Sequence, residues 1–321
     1  MVKLTDAQVL AAAAQERLVN VVSAPGSGKT TIAAERYGYQ RYLRGDTRGV
    51  LGLTFNRAAA AELRGRVEAR WGAACVGGAH RVITFDHLHV ELLFWLLSRG
   101  MITWPNGLTE LDVRDDYRGV QGHRFLTVGN YIRYARLNSS NAVISDSRQV
   151  TKPESGIGGV ADHRAVLASG AVSHEDVRTI LRSAMQAPEM RQFASDWLLA
   201  NYRALVIDEV YDADDLDVHV AYLAAEAGLS VTLIGDPWQA LYKWRGARPE
   251  VIEKLFEATS EPFVAYEQPE SFRFSGDQMP HLAVSLRAGQ GVALPETVST
   301  EVDVALARNW GQLWSVGDNI L

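Results

Sequence analysis

The amino-acid sequence predicts an α/β protein organised on a parallel sheet. Three observations carry this prediction. Short β-branched apolar runs alternate with longer helical segments over the first hundred residues, a pattern of parallel strands joined by crossover helices. The apolar run 19–22 enters a loop, 23–28, whose Pro25, Gly26 and Gly28 cannot continue a strand, and Lys29, Thr30 and Thr31 then open a helix. The apolar pattern returns at 204–207 and 230–234, so the sheet draws on two distant parts of the chain.

Each element follows from local chemistry. Residues 6–17, Ala-rich at 11–14, read as a helix with Thr5 as its N-cap. After the strand 19–22 and the loop, a helix spans about 29–43. The run VLGLTF at 50–55 is a second strand, and AAAAELRGRVEARW at 58–71 is a strong helical sequence. A third strand is expected at 82–85 and an apolar helix at 88–97. From 98 to 194 the chain is more polar, with turn signals at WPNG, NSSN and KPESGIGG. This stretch reads as an inserted, mostly helical subdomain, partly irregular. The expected organisation is therefore 1–97 and 195–275 as two parts of one domain, 98–194 as the insertion, and 276–321 as the incomplete start of a second domain. A strand-like run at 302–307 falls in that last part.

Composition narrows the class. No apolar run reaches the length of a membrane span, and the N-terminus MVKLTDAQ lacks the apolar core of a signal peptide. The single cysteine, Cys75, excludes an internal disulfide and fits a reducing cytoplasm. The net charge of −6 is unevenly spread: 36–99 is arginine-rich and 208–270 is rich in Asp and Glu. A basic groove on an acidic protein is compatible with nucleic-acid binding.

Three stretches carry chemistry. In SAPGSGKTT, the loop Ala24, Pro25, Gly26, Ser27 and Gly28 runs into Lys29, Thr30 and Thr31 at a strand-to-helix junction. That is the layout of a phosphate cradle, with Lys29 on the β- and γ-phosphates and the Thr30 hydroxyl on Mg²⁺. The general pattern has Gly where this chain has Ser23. In ALVIDEV, an apolar strand ends in Asp208 and Glu209. Asp208 is the candidate to hold Mg²⁺ and Glu209 the candidate general base for an attacking water. An acidic loop after a strand would read the same in isolation. In VTLIGDPWQALYKWR, Gln239 offers a neutral amide beyond a strand end, suited to sensing a γ-phosphate. Tyr242 and Trp244 sit beside Lys243 and Arg245, as in a platform for unpaired bases, or as core aromatics at an amphipathic turn.

In order, these motifs resemble the UvrD/Rep/PcrA group of superfamily 1 DNA helicases. LTDAQ at 4–8 resembles the Q motif, which implies that Gln8 reads adenine. SAPGSGKT resembles motif I, where the group accepts a residue other than Gly first. LTFNRAAAAEL at 53–63 resembles motif Ia, implying base stacking by Phe55 with Asn56 beside it. ITFDHLH at 83–89 resembles the TFHS motif, with Asp86 at the His position and Thr84 and His87 as strand contacts. IDEVYDAD resembles motif II, and GDPWQALYKWRGA at 235–247 resembles motif III, bringing Tyr242, Trp244 and Arg245 to DNA. EQPESFRFS at 267–275 resembles motif IV, with Arg273 on the γ-phosphate. The resemblance covers residues 4 to about 275. It implies a RecA-like P-loop domain that hydrolyses ATP with Mg²⁺ and moves on single-stranded DNA with 3′→5′ polarity. Two departures accompany it. Tyr211 stands where motif II has a Gln that links nucleotide and DNA sites. The group also continues through a second motor domain whose motifs are not found in 274–321. The alternative reading is an ATP- and strand-binding subunit, or half of a split enzyme, that needs a second polypeptide for turnover.

Overall fold

The computed structural model describes residues 3–43, 46–116, 122–149, 159–239, 249–273, 281, 284–285 and 288–290. The first part of the sheet domain contains α1 (Asp6–Ala12), β1 (Leu18–Ser23), α2 (Lys29–Tyr42), β2 (Gly49–Thr54), α3 (Arg57–Trp71), β3 (Arg81–Thr84) and α4 (Phe85–Ser98). An inserted segment follows, with β4 (Asp112–Val113), β5 (His123–Val128), β6 (Tyr131–Leu137), β7 (Val143–Asp146), α5 (Val160–Ser169), β8 (Ala171–Val172) and α6 (His174–Ala184). The chain returns to the sheet through α7 (Pro188–Asn201), β9 (Tyr202–Asp208), α8 (Asp215–Glu226), β10 (Ser230–Gly235), α9 (Pro249–Ala258) and β11 (Val264–Gln268).

Six strands form one sheet in the order β11-β1-β10-β9-β2-β3, and every pairing is parallel. Parallel pairing puts all the strand C-termini at one edge, where ligands of such sheets bind. Both faces are covered, and the side chains alternate between them as a period of two demands. Val19, Val21, Val50, Ala204, Val206 and Ile234 join Ile32, Tyr37, Leu63 and Val67 on one face. Leu18, Leu51, Leu53, Leu205, Ile207, Val231 and Leu233 join residues of α4, α7, α8 and α9 on the other. The α/β fold class with a parallel sheet is thus as the sequence indicates.

Two expectations need correction. The first helix ends at Ala12 instead of continuing to residue 17. Arg36 of α2, fully buried, donates to the carbonyls of Ala12, Ala14 and Glu16, and its Nε donates to Thr232 Oγ1 at 3.0 Å. Those carbonyls are taken by a guanidinium from another element, so tertiary contact overrides the helical preference of the Ala-rich run. The inserted segment is also not mostly helical. It carries the antiparallel sheet β5-β6-β7 beside its helices. Trp104, Phe125 and Tyr134 from this segment are buried in the same apolar cluster as α4 and the sheet. Residues 1–274 form one compact unit, and the few described positions beyond belong to another. The run 302–307 lies outside the described residues. Among the described residues, no helix is long and apolar enough to cross a membrane.

Burial pulls the Arg36 guanidinium down to about 10, so it stays charged at neutral pH. Arg36→Met, which keeps the apolar stem and strands several buried carbonyls, is expected to lower unfolding free energy by about 3 kcal/mol. Urea unfolding of both proteins checks this, and equal midpoints would show that water replaces the guanidinium.

Candidate nucleotide and strand site

The loop after β1 is fastened from inside. Ser27 Oγ donates to the Ala24 carbonyl at 2.6 Å, leaving Ser23 Oγ to donate to Ser27 Oγ at 2.6 Å. The serine at position 23 therefore has a structural use that the motif's usual Gly could not supply. Gly26 and Gly28 have φ of +76° and +89°, the left-handed region that a Cβ disfavours. Gly28 is the N-cap of α2 and brings no side chain to it. By contrast, Thr5, Asn56, Thr84, Ser173 and Asp214 cap their helices with side-chain oxygens. The first-turn N–H groups of α2 thus have no side-chain acceptor, and such groups suit an anion.

Two other segments close on this loop. Gln8 completes a capping box with Thr5, and its Nε2 donates to the Ser27 carbonyl at 2.8 Å. On the other side, Gln268 at the end of β11 accepts from Ala24 N at 2.9 Å. The chain then passes over the loop, where Phe272 N donates to the Gly26 carbonyl at 2.9 Å. A Cβ on Gly26 would lie 2.5 Å from Arg273 Cβ, so the approach needs glycine. Strand β11, which the sequence reading did not identify, is what carries Arg273 to the loop.

The acidic pair lies at the end of β9. Asp208 is buried, and its carboxyl accepts from Glu209 N at 3.0 Å. Burial first, then the neighbouring Glu209 charge, pushes the Asp208 carboxyl up to about 7. Glu209 has φ +56°, a conformation rare for a non-glycine residue and common at functional sites. Burial raises its carboxyl, while Lys29 acts in the opposite direction. Lys29 Nζ lies 3.6 Å from Glu209 Oε1 and donates to Gln239 Oε1 at 2.8 Å. Gln239 is positioned by a short 3₁₀ turn, Pro237–Gln239, in which Trp238 N donates to Asp236 Oδ1 at 3.0 Å.

From this point a cavity of about 270 Å³ runs past Asp208, Glu209 and Gln239 to Phe55 and Asn56. A second cavity, of about 400 Å³, lies beyond, lined by Phe55, Asn56, Thr84, Asp86, His87 and His174. Phe55 stacks on Phe85 with centroids 5.1 Å apart. Asn56 caps α3 through Ala59 N at 2.8 Å, and Thr84 caps α4 through His87 N at 3.2 Å. Both residues thus have a folding role that their assignment as strand contacts did not include. His87 is exposed, with its Nε2 3.0 Å from Glu91 Oε1. Tyr242, Trp244 and Arg245 lie outside the described residues. Tyr211 is buried against Gly235 and lines neither cavity. Trp238, 59% exposed, was not singled out in the sequence because its neighbours at 242 and 244 drew the aromatic reading.

Comparison with known proteins places the chain in a family. A family model described as an AAA domain matches residues 6–245, more than half of the chain. DNA helicase II of Salmonella typhimurium is 22% identical over 282 residues, and a probable DNA helicase II homolog of Mycoplasma capricolum is 20% identical over 264. Each alignment covers 78% of this chain and 36% of the relative. The Gabija protein GajB of Bacillus cereus is 34% identical over 86 residues, 26% of this chain and 17% of that protein. The chain thus spans well under two thirds of the length of each of these relatives.

A carboxyl raised by folding destabilises the folded state as pH climbs from the ordinary carboxylate range through about 7. In protein held with a chelator, Asp208→Asn is therefore expected to gain stability at pH 8, on the order of 4 kcal/mol. The gain should be smaller at pH 5. Denaturant unfolding at both pH values tests this, and equal gains would mean that the carboxyl is not raised.

Proposed function

The chain belongs to the AAA domain family and is of the UvrD/Rep helicase type, and from that premise we propose that it is the ATP-binding part of a DNA helicase or translocase. In this reading it binds Mg²⁺ and ATP, hydrolyses the nucleotide, and uses the cycle to move on single-stranded DNA. One observation carries the proposal. Lys29, Asp208, Glu209 and Gln239, from three distant parts of the sequence, meet at the edge where β1, β9 and β10 end.

The residues fit the ligands. Loop glycines admit close approach, and α2 opens with N–H donors free of a side-chain cap. The Thr30 hydroxyl and the Asp208 carboxyl are hard oxygen donors of the kind Mg²⁺ takes. When bound, Mg²⁺–ATP supplies the scissile phosphoanhydride and a cation that offsets its charge. Lys29 holds the phosphate end. Glu209, its carboxyl raised by burial, orients a water and accepts its proton. Gln239 exchanges its Lys29 partner for the γ-phosphate end, and Arg273, brought over the loop by β11, adds positive charge there. Gln8 has its amide on Ser27 and Thr5, so adenine recognition by Gln8 would act directly on the loop. Along the second cavity, Phe55 stacks against bases while Asn56, Thr84 and His87 border the strand. Tyr242, Trp244 and Arg245 belong to the same proposal from the sequence, as do 3′→5′ polarity and a second motor domain, in this polypeptide or a partner.

Steady-state ATP hydrolysis with and without oligo-dT tests the reading, with Glu209→Gln as the blank. That variant should bind ATP while losing about 10²–10⁴-fold in turnover. Lys29→Ala is expected to abolish tight nucleotide binding, and unchanged affinity in a titration would sink the loop assignment. Phe55→Ala should weaken oligo-dT binding by about 1–3 kcal/mol at fixed salt. Equal binding would make Phe55 a core residue only.

A further inference from the structure

Helix α6 of the inserted segment begins at the second cavity and reaches the segment that carries the acidic pair. His174, its first residue, lines that cavity with Phe55, Asp86 and His87. One turn further on, Arg178 bridges two carboxylates. Its Nε and Nη2 donate to Asp86 Oδ1 at 3.0 and 2.6 Å, and its Nη1 donates to Asp214 Oδ2. Arg182, the next turn along, donates to the same Asp214 oxygen at 2.6 Å and to Asp215 Oδ1 at 3.0 Å.

Each end of this bridge touches a site already described. Asp86 stands between Phe85, which stacks on Phe55, and His87 on the cavity wall. Asp214 caps α8 by accepting from Leu216 N and Asp217 N at 2.8 and 3.0 Å. It is joined to Glu209 by a 3₁₀ turn, Val210–Asp212, closed by Asp212 N donating to the Glu209 carbonyl at 2.9 Å. One guanidinium therefore ties the cavity wall to the turn that positions Glu209.

The neighbouring contact between α4 and α8 is of a different kind. His89 is fully buried with no hydrogen bond to either ring nitrogen, and its Nε2 lies 3.5 Å from Asp217 Oδ1. Burial drives His89 to about 3 and raises Asp217 well above the carboxylate range. No hydrogen bond joins the two side chains, although Asp217 Oδ2 accepts from Asp214 N at 3.0 Å. Tyr211, at the position where the group has its linking Gln, faces Gly235.

We propose that Arg178 is the positioning residue that couples the strand groove to the nucleotide site. This rests on the reading of the second cavity as strand-binding. A strand that shifts α4 or the start of α6 moves Asp214, and with it the turn that holds Glu209. The reverse follows from linkage: nucleotide bound at Glu209 alters the affinity for the strand by the same factor.

The test is a binding cycle on the whole chain. Affinity for a fluorescent ATP analogue is measured with and without saturating oligo-dT, for wild type, Arg178→Lys and Asp86→Asn. Lysine keeps the charge and loses the fork that spans two carboxylates. Wild-type affinity is expected to change about fivefold or more with the strand. In Arg178→Lys that ratio should fall to near one, while affinity for each ligand alone stays within about twofold. Asp86→Asn, which leaves Arg178 on Asp214, should also bring the ratio to near one. A wild-type ratio retained in folded Arg178→Lys overturns the proposal, and so does one retained in Asp86→Asn if the lysine variant does not fold. A wild-type ratio of one, with both ligands bound, overturns the coupling and leaves the site reading standing. Wild type that binds neither ligand sinks the site reading and the coupling with it.

Discussion

The Lys29 side chain is 8% exposed, and the site is organised around that fact. A buried cation needs partners held in place. Gln239 supplies a carbonyl oxygen and Glu209 a carboxylate, each from the end of a different strand. Parallel pairing is what delivers all of them to one edge. The balance is incomplete: Asp208 is forced toward neutrality, and Glu209 is raised as well. Carboxyls that the fold itself disfavours as anions are relieved by a cation. Such local instability marks a site kept for a ligand at the expense of stability.

Glu209, one of two described non-glycine residues with positive φ, lies at the same edge. Gly26, Gly28 and Glu209 occupy the left-handed region within one small volume. This edge is held by neighbours, two of them far away in sequence and one adjacent. Phe272 N holds the Gly26 carbonyl, Gln8 holds Ser27, and Asp208 Oδ1 accepts from Glu209 N. The loop is therefore gripped from both ends of the compact unit, by α1 and by the chain after β11. On the proposed reading, a ligand met by Gln8 or Arg273 would act on the loop directly.

Much of this was legible in the sequence because its causes are local. Gly-Lys-Thr after an apolar strand, Asp-Glu after another, and Gln239 beyond a third each declare their chemistry within a few residues. The capping box of Thr5 and Gln8 was half visible, since Thr5 was readable as an N-cap while Gln8 drew an adenine-binding role. What escaped depends on distance or on turn chemistry. The end of α1 is decided by Arg36, which no helical pattern around residues 11–14 reveals. The β5–β6 hairpin was missed although Gly129-Asn130 sits between runs of alternating residues, a two-residue turn signal. Polarity in that stretch was read as helical surface. It is the outer face of a small antiparallel sheet. The partners of Arg178 lie 92 and 36 residues away, so spacing could not pair them.

The Arg178 bridge also makes a poor stability device, and that bears on its purpose. Burying a guanidinium and two carboxylates trades solvation for Coulomb attraction with little net gain, and apolar replacements of such triads are often neutral or stabilising. Leu88, Leu92 and Leu216 nearby show that the region packs apolar side chains readily. A bridge that adds little stability can still fix geometry, because a planar guanidinium donates along fixed directions to the two carboxylates. Here one end is on the helix behind Phe55 and the other on the turn behind Glu209. His89 and Asp217, buried without a hydrogen bond between them, add no firm polar lock between α4 and α8. On the proposed reading, such a joint would carry small displacements along α6 between the second cavity and Glu209, in a chain where Tyr211 stands in place of the linking Gln.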